Sequence, residues 1–360
     1  MIANSGEYRK KNGQRGYVMM NNFIFENKTK VYFGKGGVKE YLGGLLANFG
    51  ETVMLAYGGG SIKCNGVYDE IMGILNAQGK CVVEFSGIMS NPTYAKVQDG
   101  AKLAHENHVD LILAVGGGSV SDCCKVISAQ ANLNEDIWEM QYTKHTLPTK
   151  FIPLGTIVTV FGTGSEMNNG AVITHEEKKI KGALWGAQAE FAFLDPAYSL
   201  SVPMQQVISG AFDTLSHAME TYFGKPDENN LSDDINEAAM AENGVLKIGK
   251  VTDFQAHQIQ HQLGAYTNCN HGAGLAVIHP VLYRHIYKSG AARFARFAQN
   301  VWASHPRAVT GKPPPVSTRW PRLLRKSVCR PALQSLAFPP TPTSAPWRIP
   351  PTSLLAAARS

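Results

Sequence analysis

Leu111–Lys125 reads LILAVGGGSVSDCCK. Its opening apolar run, Leu111–Val115, is too short for a helix and suits a strand buried on both faces. Three glycines stop that strand, and a helical stretch carrying Asp122 and Lys125 begins beyond them. Strand, glycine turn and helix in succession are the repeating unit of a parallel sheet covered on both sides. The chain offers more such strands: Lys30–Phe33, Thr52–Tyr57, Cys81–Phe85, Phe151–Leu154 and Phe191–Leu194. Helical spacing fills the intervals, as at Gly66–Ala77 and Tyr94–His108. After Pro203 the alternation stops and only helices are predicted, at Met204–Tyr222, at Asp253–Leu263 and near Tyr283–Val301. The expected fold is α/β plus all-α: a parallel-sheet domain over residues 20–200, then a helical domain over 201–302, with a cleft between them as the natural site.

The flanks read differently. Residues 1–19 are polar and basic, and Met20 begins MNNFIFENKTKVYFGKG as a second initiation point would, so the first nineteen residues are expected to be disordered. Twelve of the nineteen prolines fall in 306–351 and hydrophobic periodicity ends near Trp302, so 303–360 is expected to be a disordered tail. That tail also sets the charge. It holds nine Lys/Arg and no acid after residue 300, which leaves the first 300 residues at net −3 although the whole chain is +6. The basic balance therefore does not argue for nucleic acid, and the tail lacks interleaved aromatics. No apolar run reaches spanning length and no secretory h-region opens the chain. The six cysteines form no CxxC pair, which suits reduced thiols and the cytoplasm.

Glycine clusters end two of the strands. Gly58, Gly59, Gly60 and Ser61 follow TVMLAY; Gly116, Gly117, Gly118 and Ser119 follow LILAV. Glycine lets backbone come close to a phosphate, and a helix N-terminus beyond it adds free N–H groups and a favourable dipole. Most glycine-rich strand ends are only tight turns, but two at the carboxyl ends of strands in one sheet make a dinucleotide the expected ligand. A third cluster, Thr159–Asn169 (TVFGTGSEMNN), offers Thr159, Thr163 and Ser165 to a nicotinamide and its phosphates.

The segment Val251–Pro280 carries four histidines. His257 and His261 share a helix face at i,i+4, and His271 precedes Gly272 in an NHGAG turn. Upstream, FDTLSH puts Asp213 and His217 at the same spacing. Either pair alone is common by chance. One carboxylate and three imidazoles on separate elements can grip a divalent metal with a position left open, which is a catalytic arrangement.

Taken in order, KVYFGKGG, YGGGSIK, GIMSNPTYAKVQDG, LAVGGGSVSDCCK, FGTGSEMNNGAVIT, FLDPAYSLSVP, FDTLSHAMETYF and HQIQHQLGAYTNCNHGAGLAVIHP resemble the iron-containing (group III) alcohol dehydrogenases, in the NADP-dependent butanol dehydrogenase-like branch, over about residues 20–302. The resemblance implies a dehydroquinate synthase-like fold, a dinucleotide-binding domain followed by a helical metal-binding domain. It implies Asp213, His217, His257 and His271 as metal ligands, with Fe2+ or Zn2+ accepted by the N3O set. His261 becomes a histidine near the nicotinamide that relays the alcohol proton with a pKa near neutrality. The glycine clusters, Asp122, Thr159, Thr163, Ser165 and Lys181 become cofactor contacts, although KKIKGAL on its own would read Lys181 as part of a solvated charge run. YGGGS lacks the acid that NAD-preferring relatives place there, which favours NADP(H). The implied reaction is hydride transfer between NADP(H) and a small primary alcohol or aldehyde, in a homodimer.

Two departures accompany the resemblance. INEAAM runs directly into AENGVLKIGK where the family has about thirty more residues, some two helices with a loop. After FAQNVW the family's helices should continue, yet the acid-free tail begins, as in a shifted reading frame. The alternative expectation is therefore an impaired, truncated homologue that keeps only nucleotide binding.

Overall fold

A computed structural model describes residues 26–224 and 254–286 continuously, with isolated positions at 8–9, 15–16, 24, 232–233, 236, 289–290, 293–294 and 297. The shortened stretch near 240 and the tail from 303 lie outside the described residues, as does most of 1–19. Of that extension, β1 (Tyr8–Arg9) and β2 (Arg15–Gly16) are described as a two-residue antiparallel pair.

The remaining strands are β3 (Lys30–Phe33), β4 (Thr52–Tyr57), β5 (Cys81–Phe85), β6 (Leu111–Gly116), β7 (Leu154–Val158), β8 (Gly170–His175), β9 (Ile180–Trp185) and β10 (Phe191–Leu194). Six of them form one parallel sheet in the order β3-β10-β7-β6-β4-β5. The helices of this half are α1 (Gly37–Leu46), α2 (Ser61–Cys64), α3 (Val67–Ala77), α4 (Tyr94–Glu106), α5 (Gly118–Gln130) and α6 (Ile137–Tyr142).

The unbroken apolar runs of β4 and β6 have a direct cause. Val53, Leu55 and Tyr57 with Leu111, Leu113 and Val115 pack on one face with Val38, Leu42, Ile71 and Leu75 of α1 and α3. Met54 and Ala56 with Ile112 and Ala114 pack on the other, against Val97, Ala101, Cys123 and Ile127 of α4 and α5. Each strand is covered twice, so neither of its alternating faces can be polar.

Two sequence expectations shift here. The strand placed at Phe151–Leu154 is β7, Leu154–Val158. Pro153 has no N–H for a ladder, so regular pairing starts after it, with only its carbonyl accepting from Ile112. Between the third cluster and Phe191, where the sequence predicts no strand and KKIKGAL on its own reads as a charge run, the chain forms an antiparallel hairpin, β8 with β9, in the register Gly170↔Trp185 to His175↔Ile180.

The helical half is built from α7 (Met204–Tyr222), α8 (Gln255–Thr267) and α9 (His271–Ile286). Phe212 and Leu282 pack against Ala256, Leu275 and Ile278, which ties the three together. The predicted helix near Tyr283–Val301 overlaps the end of α9, and beyond Ile286 only scattered residues are described. The NHGAG turn is instead a helix start. Asn270 accepts from the Ala273 N–H at 3.1 Å through its side chain, which is N-cap geometry. No described helix is long and apolar enough to cross a membrane.

Candidate active site

The carboxyl ends of β4, β6 and β7 lie side by side, so Gly58–Ser61, Gly116–Ser119 and Thr159–Ser165 share one edge of the sheet. A Cβ on Gly59 or Gly60 would meet nothing, whereas one on Gly118 would lie 2.6 Å from Thr163 Oγ1. The first turn is thus open, and the second is closed against the third. Gly117 caps α5 without any side-chain acceptor, so the N-terminus of that thirteen-residue helix faces this edge uncapped by a side chain. This is a cradle whose donors suit a dinucleotide's phosphates.

Helix α7 is seated against that edge. A Cβ on Gly210 would come within 2.2 Å of the Phe161 carbonyl oxygen, so only glycine allows this approach. Thr214 then donates to the Gly162 carbonyl at 2.7 Å. In turn α9 closes on α7, where a Cβ on Gly272 would meet the Ser209 carbonyl oxygen at 2.2 Å. These two contacts bring Asp213 and His271 beside the glycine-lined edge.

There the expected ligands meet. From Asp213 Oδ1, the Nε2 atoms of His217, His257 and His271 stand at 3.7, 3.7 and 3.4 Å. The two nitrogens of His257 and His217 are 3.2 Å apart. Among the described residues, Asp213, His217 and His257 form the group whose ligand atoms all lie within 4.8 Å of one another. Asp213 Oδ1 is buried with no hydrogen-bond donor. A bare carboxylate oxygen facing three imidazole nitrogens costs free energy unless a cation is shared between them, so the donor set fits a divalent metal of the Fe2+ or Zn2+ kind. These four residues come together, which does not favour a chain reduced to nucleotide binding.

His261 stands next to this group, its ring stacked on His271 at 5.7 Å, with Nε2 buried and unpartnered. Burial above all, and then His271, Lys181 and His257, push its pKa well below the ordinary value. The expectation of a pKa near neutrality is thus corrected: in this environment His261 is a neutral imidazole. His271 is lowered in the same way, by burial and then by His257 and Lys181. Burial also works against a charge on His257, but the neighbouring carboxylates of Asp213 and Glu220 outweigh it and hold that pKa above the usual value.

Lys181 does not lie in a solvated run. It is 5% exposed in β9, and its Nζ donates to Asn91 Oδ1 at 2.9 Å. Asn91 Nδ2 continues to Asn268 Oδ1 at 2.6 Å, so a polar chain crosses from the sheet half to the end of α8. Asp122 and Ser165 are turned toward each other, Ser165 Oγ donating to Asp122 Oδ1 at 2.5 Å while Lys125 Nζ donates to Ser165 Oγ at 2.8 Å. Thr163 Oγ1 accepts from the Ser165 N–H at 3.2 Å, and Thr159 donates its N–H to the Gly116 carbonyl at 2.9 Å.

Sequence reasoning missed Glu220, Gln260 and Asn91. Glu220 accepts from His257 Nδ1, and Gln260 Oε1 accepts from His271 Nδ1. The signal for Glu220 was present: Asp213, His217 and Glu220 follow i, i+4, i+7 on one helix face.

Residues 28–196 match the family described as iron-containing alcohol dehydrogenase. The probable NADH-dependent butanol dehydrogenase 1 of Bacillus subtilis is 36% identical over 315 residues, covering 79% of this chain and 81% of that protein. The NADPH-dependent aldehyde reductase YqhD of Escherichia coli is 33% identical over 319 residues, with 79% and 81% covered. Among solved structures, NADH-dependent butanol dehydrogenase A of Thermotoga maritima superposes with a TM-score of 0.77 at 30% identity, covering 86% of this chain and 84% of the other.

Proposed function

Because the chain belongs to the iron-containing alcohol dehydrogenase family, we propose that it moves a hydride between NADP(H) and a small primary alcohol or aldehyde. Asp213, His217, His257 and His271 are the residues that would hold the metal, Fe2+ or Zn2+. The observation that carries this reading is the convergence of three imidazoles on Asp213 Oδ1, a buried oxygen without a donor. Held there, a divalent ion supplies Lewis acidity toward an alcohol or carbonyl oxygen, and bound nicotinamide supplies the hydride donor or acceptor.

The work of the chain's own residues is positional. Gly58–Ser61 and the N-terminus of α5 take the phosphates, and the Thr214–Gly162 bond fixes the nicotinamide loop against the helix that carries Asp213. In this reading His261, neutral and with Nε2 buried and unpartnered, relays the substrate's hydroxyl proton. The same reading has the protein act in the cytoplasm as a homodimer, with no nucleic acid or membrane partner.

The test is NADPH oxidation by the purified chain with butyraldehyde. Turnover should vanish on chelation and return with Fe2+ or Zn2+. Activity that survives thorough chelation would remove the metal from the reading.

Cofactor choice is a second expectation: NADPH should bind more tightly than NADH. The YGGGS turn holds no acid, and the nearby Glu84 carboxylate already accepts from Tyr57, Tyr68 and Lys63. Relatives named for each nucleotide exist, so fluorescence titration of both decides it. Equal or reversed affinities would refute this assignment.

A further inference from the structure

Helix α8 begins abruptly. Phe254, just before it, sits in the left-handed region at φ 49°, and no side chain at that cap position accepts a hydrogen bond. The first N–H groups of a helix have no partner within it and need acceptors from elsewhere. Glu220, near the C-terminal end of α7, supplies them. Its Oε1 accepts from the Ala256 N–H at 2.6 Å and its Oε2 from the His257 N–H at 3.2 Å. A carboxylate there is also favoured by the helix dipole. The same Oε2 accepts from His257 Nδ1, and Glu220 is 4% exposed.

A carboxylate can only accept, so its contact requires the proton of His257 to sit on Nδ1. The Nε2 lone pair is then left facing Asp213 Oδ1 and His217 Nε2, 3.7 and 3.2 Å away. We propose that Glu220 is a positioning residue: one carboxylate sets both where α8 begins and which nitrogen of His257 is offered to a metal. Metal affinity and the docking of α8 on α7 are then one property. Gln260 does the imidazole half of this for His271, through its Oε1 on His271 Nδ1, without capping a helix. The inference rests on the reading of Asp213, His217, His257 and His271 as metal ligands.

The experiment is competition of the metal-free full chain against a chromophoric chelator for Zn2+, with helix content followed by far-UV circular dichroism. Glu220→Gln keeps a carbonyl oxygen for the helix start but can turn an amide N–H toward His257 Nδ1. It should keep the helix content and lose about 10–100-fold in Zn2+ affinity, the usual effect of removing a ligand's outer partner. Glu220→Ala should lose affinity and helix content together. Wild-type affinity in Glu220→Gln overturns the proposal while leaving the ligand assignment intact. A wild-type chain that takes up no Zn2+ overturns the ligand assignment, and this inference with it. Should Glu220→Gln fail to fold, the long-range 1H–15N imidazole spectrum of Zn2+-loaded wild type decides. His257 protonated at Nδ1 and bound through Nε2 supports the proposal, and ligation through Nδ1 overturns it.

Discussion

Replacing Asp213 with alanine should abolish stable metal uptake and lower kcat/KM by roughly a thousandfold or more, while leaving the metal-free fold as stable as before. The two halves of this result have one cause. Asp213 is the anion among three imidazoles, and its Oδ1 receives no hydrogen bond in the folded chain. Its removal deletes the charge that a divalent ion needs, and Lewis-acid help worth several kcal/mol goes with it. At 1.36 kcal/mol per tenfold, that is about three orders of magnitude. The fold, by contrast, loses a desolvated carboxylate oxygen that nothing donates to, a group whose burial is itself costly. A residue that served packing would show the reverse pattern, with a lowered Tm and retained activity. Metal content by atomic emission, kcat/KM and the Tm of metal-free protein separate the two. A variant that keeps its metal and more than about a tenth of its activity refutes the assignment of Asp213.

What could be read without coordinates follows from where the physics is local. β4 and β6 were legible because burial on both faces leaves no polar position in LILAV or VMLAY, and a short unbroken apolar run favours a strand over a helix. Met204–Tyr222 was legible to the residue because Pro203 precedes it and its apolar stripe is periodic. Asp213, His217 and His257 were legible as residue types at helical spacing. The partners that orient them were not, because Glu220 and His257 are 37 positions apart and only the packing of α8 on α7 joins them. Lys181 misled for the opposite reason. KKIK looks solvated in one dimension, but the alternation of a strand turns Lys181 inward while its flanking residue Ile180 stays exposed. The pKa of His261 was likewise invisible, since burial and the neighbouring cationic and imidazole groups set it. Asn270 before His271 was the overlooked signal in NHGAG: Asn is a strong helix cap, and the glycines after it serve close packing rather than turning.

Lys125→Met should strongly destabilise the sheet half, costing about 3–5 kcal/mol. Lys125 is 0% exposed, a cation enclosed by protein. Its Nζ donates to Ser165 Oγ at 2.8 Å, Gly170 O at 2.7 Å and Asn168 Oδ1 at 3.1 Å, with Asp122 Oδ1 at 3.7 Å as counter-charge. Burial lowers its pKa, while Asp122 and Glu166 pull it back up. Methionine fills similar space and donates nothing, so three acceptors lose their donor and Asp122 loses its cation in one step. At 2–4 °C per kcal/mol for a unit of this size, Tm should fall by roughly 6–20 °C. The effect should reach the site as well, because the acceptors on Lys125 are the loop that follows Thr163, and Thr163 packs on the glycine turn at the head of α5. Loosening that loop should weaken NADPH binding by about tenfold, equivalent to 1.4 kcal/mol. Measured below the lowered Tm, where the variant is still folded, the affinity loss distinguishes a network that shapes the nucleotide edge from one that only holds the fold. An unchanged Tm would mean that the buried charge had been as costly as its bonds were stabilising. Unchanged NADPH affinity would mean that the loop keeps its shape without Lys125.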